Sequence, residues 1–301
     1  MNSLILDRIS KSYNTFRAVD RVSFAIGDGQ LFGLLGPNGA GKTTTMRMIM
    51  NIIVPDSGKI VILGQSFRES LKNKIGYLPE ERGLYPKMKL VSHLQFLGEM
   101  KGMEAAKAKK KAYEWLERFQ LGKWAGDRIQ NLSKGMQQKV QFIGAVIHSP
   151  ELLIVDEPFA GLDPINTRFL KDILLEMKKA GKSILLSTHL MDQAEKLCDS
   201  ICLINKGQVL LRGEINQIKQ KYSYNSVLLE YQGDSDFVHR IPFVRKIDDY
   251  GNFMELRLDE DADPQELFKL LAGSGLIIKK FEISDASLNE IFIEQVKGSE
   301  K

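Results

Sequence analysis

Runs without helical or alternating period occur within residues 31–35, 151–157 and 183–187, and read as strands buried on both faces. Residues 3–26 are different. Leu4-Ile5-Leu6 and residues 22–26 alternate apolar and polar positions, predicting two antiparallel strands joined by a polar connection that contains Tyr13. Asp28-Gly29 and residues 55–58 read as turns, and residues 59–63 as a further strand. Met46, Ile49, Met50 and Ile53 recur at i, i+3, i+4, i+7 and predict a helix behind the first buried strand. Residues 75–79 form a short strand entering the loop 80–86, and a helical pattern then runs from Leu90 to about Gln120, with Ala112, Trp115, Leu116 and Phe119 on one face. Residues 201–205 and 208–212 flank Lys206-Gly207 as a hairpin, and a helix from about Glu214 to Lys221 closes a first domain.

From Tyr224 to Lys301 the pattern is that of a small α+β domain. Residues 227–231, 254–258 and 276–283 read as strands. Asp263, Pro264 and Glu266 supply an N-cap, an N1 proline and an N3 acid for a helix that would bury Leu267, Leu270 and Leu271. A last helix over 288–296 would bury Leu288, Ile291 and Phe292.

Between the first buried strand and its helix lie Gly36, Pro37, Asn38, Gly39, Ala40, Gly41, Lys42, Thr43 and Thr44, which fit the phosphate-binding pattern G-x-x-x-x-G-K-[ST]. Strand, glycine loop and helix come in the order the chemistry needs, which a chance glycine turn would not supply. Glycines let backbone N–H groups face phosphates and the helix N-terminus adds a favourable dipole. Lys42 can neutralise β/γ charge, and the Thr43 hydroxyl can ligate Mg²⁺.

At 301 residues and 43% hydrophobic content the chain has room for about two packed domains. Lys plus Arg total 42 against 38 Asp plus Glu, and a net charge of +4 is too small for this length to argue for nucleic acid. Lys107, Lys109, Lys110 and Lys111 read as a solvated helix face, since no aromatics interleave them as in a binding groove. Cys198 and Cys202 exclude a disulfide scaffold, show no zinc spacing and are expected as buried thiols. The N-terminus does not resemble a secretory signal, and no stretch of about 18 apolar residues occurs, so a membrane role would need a partner chain.

The carboxylate that ends an apolar strand in a phosphate-loop enzyme holds Mg²⁺, which makes Asp156 the metal candidate. Glu157 follows it and could accept a proton from water attacking a γ-phosphate. His189, just past another strand end, could contact that phosphate or orient Glu157, although a lone histidine is more often structural. Asn205-Lys206-Gly207-Gln208 lacks the carboxylate that reads guanine, so ATP is favoured. Tyr13 could stack on adenine or simply pack.

Residues 131–139, Asn-Leu-Ser-Lys-Gly-Met-Gln-Gln-Lys, resemble the signature motif of ABC-transporter ATPases. With the phosphate loop, residues 152–158, Gly161-Leu162-Asp163 and His189, the resemblance covers about residues 1–221 in the correct order. It implies an α/β phosphate-loop NTPase with a mixed sheet, an antiparallel β subdomain and a helical subdomain at about 88–149, followed by an α+β accessory domain at 224–301. By that resemblance Tyr13 is the adenine-stacking aromatic, Asp156 the Mg²⁺ carboxylate, Glu157 the catalytic base, Asp163 a dimer-contact aspartate and His189 the switch histidine. Ser133 and Gly135, at a helix N-terminus, would offer a hydroxyl and N–H donors to the γ-phosphate held by an opposing subunit.

Two departures stand out. Lys134 and Met136 replace the signature's usual second glycine and its glutamine, and Glu80 stands where the family usually has a glutamine linking Mg²⁺ and attacking water to the membrane subunit. An ionised carboxylate still ligates Mg²⁺ but donates no hydrogen bond. Residues 76–85 and 287–294 resemble a bacterial exporter subgroup related to sodium-efflux ATPases. The resemblance implies an ATP-hydrolysing subunit that dimerises with a second copy and energises a separate transmembrane permease. It would lie on the cytoplasmic face of the membrane, with the C-terminal domain regulatory or dimer-stabilising. The competing expectation, a soluble ABC ATPase acting on ribosomes or DNA, lacks tandem nucleotide domains, a zinc insertion and coiled-coil arms.

Overall fold

The computed structural model describes residues 2–81, 83–222, 226–259, 261–284 and 287–299. By contact the chain divides into two units, one running to Gly213 and one from Glu214 on. The expected domain start at Tyr224 lies outside the described residues, as does Arg82 of the loop after the strand Ile75–Leu78.

The first unit is built on a six-stranded sheet ordered Gln208–Glu214, Ser200–Asn205, Leu31–Leu35, Ser183–Thr188, Leu152–Asp156, Ile75–Leu78. From Ser200–Asn205 to Ile75–Leu78 every neighbouring pair is parallel. The apolar runs at Leu31–Leu35 and Leu152–Asp156 are buried at every position because helices or the second sheet cover both faces. Parallel pairing has a functional consequence: Leu35 lies beside Thr188, Asp156 beside Ser187 and Leu78 beside Val155, so these strands all end at one edge.

An antiparallel sheet, Phe16–Gly27, Asn2–Tyr13, Ser57–Ile62, Gln65–Ser66, packs its Leu4, Leu6, Val22, Phe24 and Ile26 into one core with Phe32, Leu34, Met46 and Ile49. The polar connection expected between residues 6 and 22 is itself strand. Register shifts occur after Leu6 and Ile9, and Arg8 and Arg21 both take φ 49°. Each bulge re-phases the alternation, so a period-2 reading of the sequence loses the strand there.

The phosphate-loop helix spans Lys42–Ile49, shorter than its apolar spacing suggests. Asn51 at φ 53° ends it, and Ile53 packs against the core from beyond the helix. The helical stretch from Leu90 is two helices, Leu90–Met100 and Ala105–Arg118, broken where Gly102 takes φ 82°. Lys107, Lys109 and Lys110 are exposed and Lys111 pairs with Glu114 at 2.6 Å, so that face is solvated as expected. The helices Lys134–Val146, Pro164–Lys179 and Met191–Leu197 complete the unit. Cys198 and Cys202 are free and buried, and burial pushes the Cys202 thiol up to about 12.

In the second unit Val244–Asp249, Phe253–Leu258, Ser226–Gln232 and Ile277–Ser284 form an antiparallel sheet in that order. Val244–Asp249 escaped the sequence reading because a bulge between Val244 and Lys246 breaks its alternation. The helix Pro264–Gly273 starts as expected, with Asp263 Oδ1 accepting from the Gln265 N–H at 2.8 Å. Leu267 and Leu271 are buried but Leu270 is 46% exposed, because the i, i+4 pair defines the inward line and Leu270 is rotated off it. Leu288 and Ile291 are buried, while Phe292 is only partly so. The helix Ile215–Lys221, read from the sequence as the end of the first domain, groups with the second unit by contact.

His93, in the helix Leu90–Met100, is wholly buried and neither ring nitrogen has a hydrogen-bond partner. Burial pushes its pKa down to about 4. A base whose folded pKa lies below its unfolded value of about 6.5 stabilises fully above pH 6.5, and that stability is lost as pH falls toward 4. The share is on the order of 3 kcal/mol. His93→Leu should therefore flatten the fall in Tm between pH 6.5 and 4.5 measured by scanning calorimetry; an unchanged slope would refute a neutral buried imidazole.

Candidate functional site

The loop leaving Leu35 is forced into shape by close backbone approaches. A Cβ on Gly36 would lie 2.1 Å from the Ile204 carbonyl oxygen, and one on Gly41, at φ 103°, would lie 2.5 Å from that of Ala18. The Gly207 N–H donates to Ala40 O at 3.0 Å, tying the loop to the hairpin turn at Lys206-Gly207. Lys42 heads the helix Lys42–Ile49 with its side chain 6% exposed, and its Nζ donates to Gly36 O at 2.7 Å and Pro37 O at 3.2 Å. The loop thus curls around its own ammonium group.

Three neighbouring strand ends supply the rest. Asp156 Oδ1 accepts from Ser187 Oγ, across the parallel register. Its Oδ2 is buried and has no partner. An unpaired buried carboxylate oxygen is costly unless a cation meets it, and hard oxygen donors suit Mg²⁺, so Asp156 with the Thr43 hydroxyl fits that ion. Glu157 follows at φ 47°, a strained backbone for a non-glycine residue. Its Oε1 lies 3.0 Å from His189 Nδ1 and 3.5 Å from Lys42 Nζ. His189 follows the strand Ser183–Thr188 and is partly exposed.

One cleft is lined by Tyr13, Phe16, Ala18, residues 38–44, Glu80 and Glu157. The structure therefore brings Tyr13, the glycine loop, Lys42, Thr43, Thr44, Glu80 and Glu157 together. Ser133 and Gly135 do not line it. Ser133 caps the helix Lys134–Val146, its Oγ accepting from the Met136 N–H at 3.3 Å, and Gly135 sits in the first turn. Asp163 is likewise outside the cleft: it caps Pro164–Lys179, accepting from the Asn166 N–H at 2.9 Å, and that bond holds its carboxyl below the usual range.

Sequence reasoning missed Phe16, which lines the cleft beside Tyr13, and Ser187, which fixes Asp156. Ser187 left a signal, a hydroxyl at the end of an apolar strand. Gln138 and Gln141 were also missed. Their amides bond backbone carbonyls on either side of Glu80 and just after Glu157, and no local pattern in the sequence indicates this.

The ABC transporter family model matches residues 19–160, and that of the ATP-binding protein DrrA1-3-like C-terminal domain matches residues 213–296. The chain is 42% identical over 293 residues to the ABC transporter ATP-binding protein YhaQ of Bacillus subtilis, covering 97% of this chain and 98% of that protein. It is 32% identical to the linearmycin resistance ATP-binding protein LnrL of Bacillus subtilis, over 95% of this chain and 96% of the relative. It is 33% identical to Nod factor export ATP-binding protein I of a Rhizobium species, over 95% and 94%. A solved ATP-binding subunit of an ABC transporter superposes with TM-score 0.68 at 32% identity, covering 73% of this chain and 92% of that one. A dimeric bacterial ABC transporter cassette, 22% identical, shares the fold with TM-score 0.66 over 70% and 98% of the two chains.

The Gly36 approach is testable. Gly36→Ala must displace the loop or the Ile204 strand, so nucleotide binding should be lost and stability should fall by about 2 kcal/mol. Gly39→Ala, whose Cβ would meet open space at φ 79°, should lose only about 1 kcal/mol. Denaturant unfolding of both variants measures the difference, and equal losses would contradict the steric account.

Proposed function

The chain belongs to the ATP-binding proteins of ABC transporters and is an ATPase, and from that premise we propose that it drives export through a separate membrane-spanning partner. The observation that carries the catalytic part is the single oxygen, Glu157 Oε1, held between Lys42 and His189 at the mouth of the glycine loop. ATP phosphates lie along the loop N–H groups, with the Lys42 ammonium exchanging its carbonyl contacts for β/γ oxygens. Tyr13 and Phe16, which line the same cleft, would flank the base. Mg²⁺, held by Thr43, Asp156 and Glu80, would neutralise charge on the β/γ oxygens. Water attacks the γ-phosphorus in line, the bond to the ADP oxygen breaks, and the water proton passes to Glu157. His189 orients that carboxylate through Nδ1.

Ser133 and Gly135 lie at a helix N-terminus and do not line their own cleft, which supports a second copy whose γ-phosphate they would meet. Asp163 would touch the partner near that contact. A homodimer then holds two ATP. Among the described residues no helix is long and apolar enough to cross a membrane; membership of the ABC transporter family supports a separate permease and a place on its cytoplasmic face. The relatives named for Nod factor export and linearmycin resistance support the outward direction. The C-terminal domain is regulatory or dimer-stabilising.

Glu157→Gln should bind ATP normally, lose turnover by about 10²–10⁴-fold and accumulate as an ATP-bound dimer on gel filtration. Normal turnover would remove Glu157 from the base role. Lys42→Ala should instead weaken nucleotide binding itself. Glu80→Gln should shift the Mg²⁺ concentration for half-maximal rate; if both rate and Mg²⁺ dependence stay the same, Glu80 is no metal ligand.

A further inference from the structure

Gln138 and Gln141 lie one turn apart on the helix Lys134–Val146, and each amide spans a pair of carbonyls in a distant loop. Gln141 Nε2 donates to Pro79 O at 3.1 Å and to Glu81 O at 2.9 Å, bracketing Glu80. Gln138 Nε2 donates to Pro158 O and Ala160 O, both at 3.0 Å, immediately beyond Glu157. Both glutamines line a small cavity with Glu80, Asp156 and Glu157. An amide suits this place because one nitrogen carries two N–H donors, whereas a carboxylate would repel both carbonyls.

We propose that Gln141 and Gln138 are positioning residues, which fasten the Glu80 and Glu157 loops to this helix and so set where both carboxylates stand. The proposal rests on the roles given to Glu80 and Glu157 above. Glu80 is exposed and extends from a short loop just past its strand, so little else on its own segment fixes its carboxylate. Glu157 has a strained backbone that must be held from outside, and the Gln138 bonds supply that hold on the following turn, together with the Ala160 N–H to Glu157 O at 3.1 Å. The same helix carries Ser133 and Gly135 at its N-terminus, about a turn before Gln138. A shift of that end therefore moves both loops together, which gives a direct mechanical link between the two halves of the proposed site.

The experiment is a double-mutant cycle in the full chain. Gln141→Met keeps length and packing but removes both donors. It should lower kcat by about tenfold and raise the Mg²⁺ needed for half-maximal rate several-fold, since a displaced ligand degrades the reacting geometry. Binding of a fluorescent ATP analogue should stay within about twofold. Titrating Mn²⁺ in the presence of ADP and following its EPR signal should show the weaker metal binding without turnover. In a Glu80→Ala background the same Gln141→Met change should add less than about twofold, because its route to the metal is gone. Equal losses in both backgrounds, or a kcat loss with unchanged Mn²⁺ binding, would overturn positioning by Gln141 alone. If Glu80→Ala itself leaves Mn²⁺ binding unchanged, the metal role of Glu80 falls and this proposal with it.

Discussion

Parallel pairing of Leu31–Leu35, Ser183–Thr188, Leu152–Asp156 and Ile75–Leu78 imposes the constraint on which the site depends. Strands running the same way end at the same edge, so residues far apart in sequence emerge together: Gly36, Glu80, Glu157 and His189. None of these residues is placed by its own loop alone. The register that sets Asp156 beside Ser187 is also what gives the carboxylate its one hydrogen bond and leaves the other oxygen unpaired. Shifting a strand by one residue would turn Asp156 to the other face and abolish the site.

The Lys42 and Glu157 side chains, 6% and 8% exposed, make the edge electrostatically tight. The two charges offset one another there, and each has further partners: loop carbonyls for Lys42 and His189 for Glu157. The pair is looser than a direct bond at 3.5 Å, and Lys42 is held more closely by the loop carbonyls. This arrangement keeps the ammonium group at hand yet free to exchange weak carbonyl contacts for phosphate oxygens. His189 completes the balance by giving Glu157 Oε1 a second neighbour from the adjacent strand.

How much of this the sequence carried follows from the range of each interaction. The glycine loop, the buried strands and the Asp263 cap were legible because each is written within a few neighbouring residues. Asp156 and Glu157 were legible because a carboxylate at the end of an apolar strand has no packing reason. The bulged strands around Arg8 and Arg21 were not, since a left-handed residue resets the alternation that reveals a strand. Leu270 was assigned inward because spacing alone does not say which of two flanking leucines faces the sheet. Gln138 and Gln141 were invisible because their partners lie 20 to 62 residues away, and an amide in a helix looks like any solvated residue. Asp163 shows the limit from the other side: the structure shows a helix cap, and only the family pattern suggests a partner contact.

The altered signature can be weighed in the same terms. The Ser133 cap uses the backbone N–H of Met136, so replacing a glutamine by methionine there leaves the cap intact. Lys134 is different. It opens the helix Lys134–Val146, whose first turn holds no acid, and a cation at a helix N-terminus opposes the dipole by about 0.3–1 kcal/mol. That small destabilisation has no compensating ion pair among the described residues. It becomes favourable only when an anion approaches the same N-terminus, where the dipole, the Ser133 hydroxyl, the free N–H groups and the Lys134 ammonium all act in one direction. In the proposed two-chain site that anion is the γ-phosphate of the partner's ATP. Lys134 then trades a little stability of the separate chain for attraction between copies, and this attraction weakens with ionic strength because the side chain is exposed.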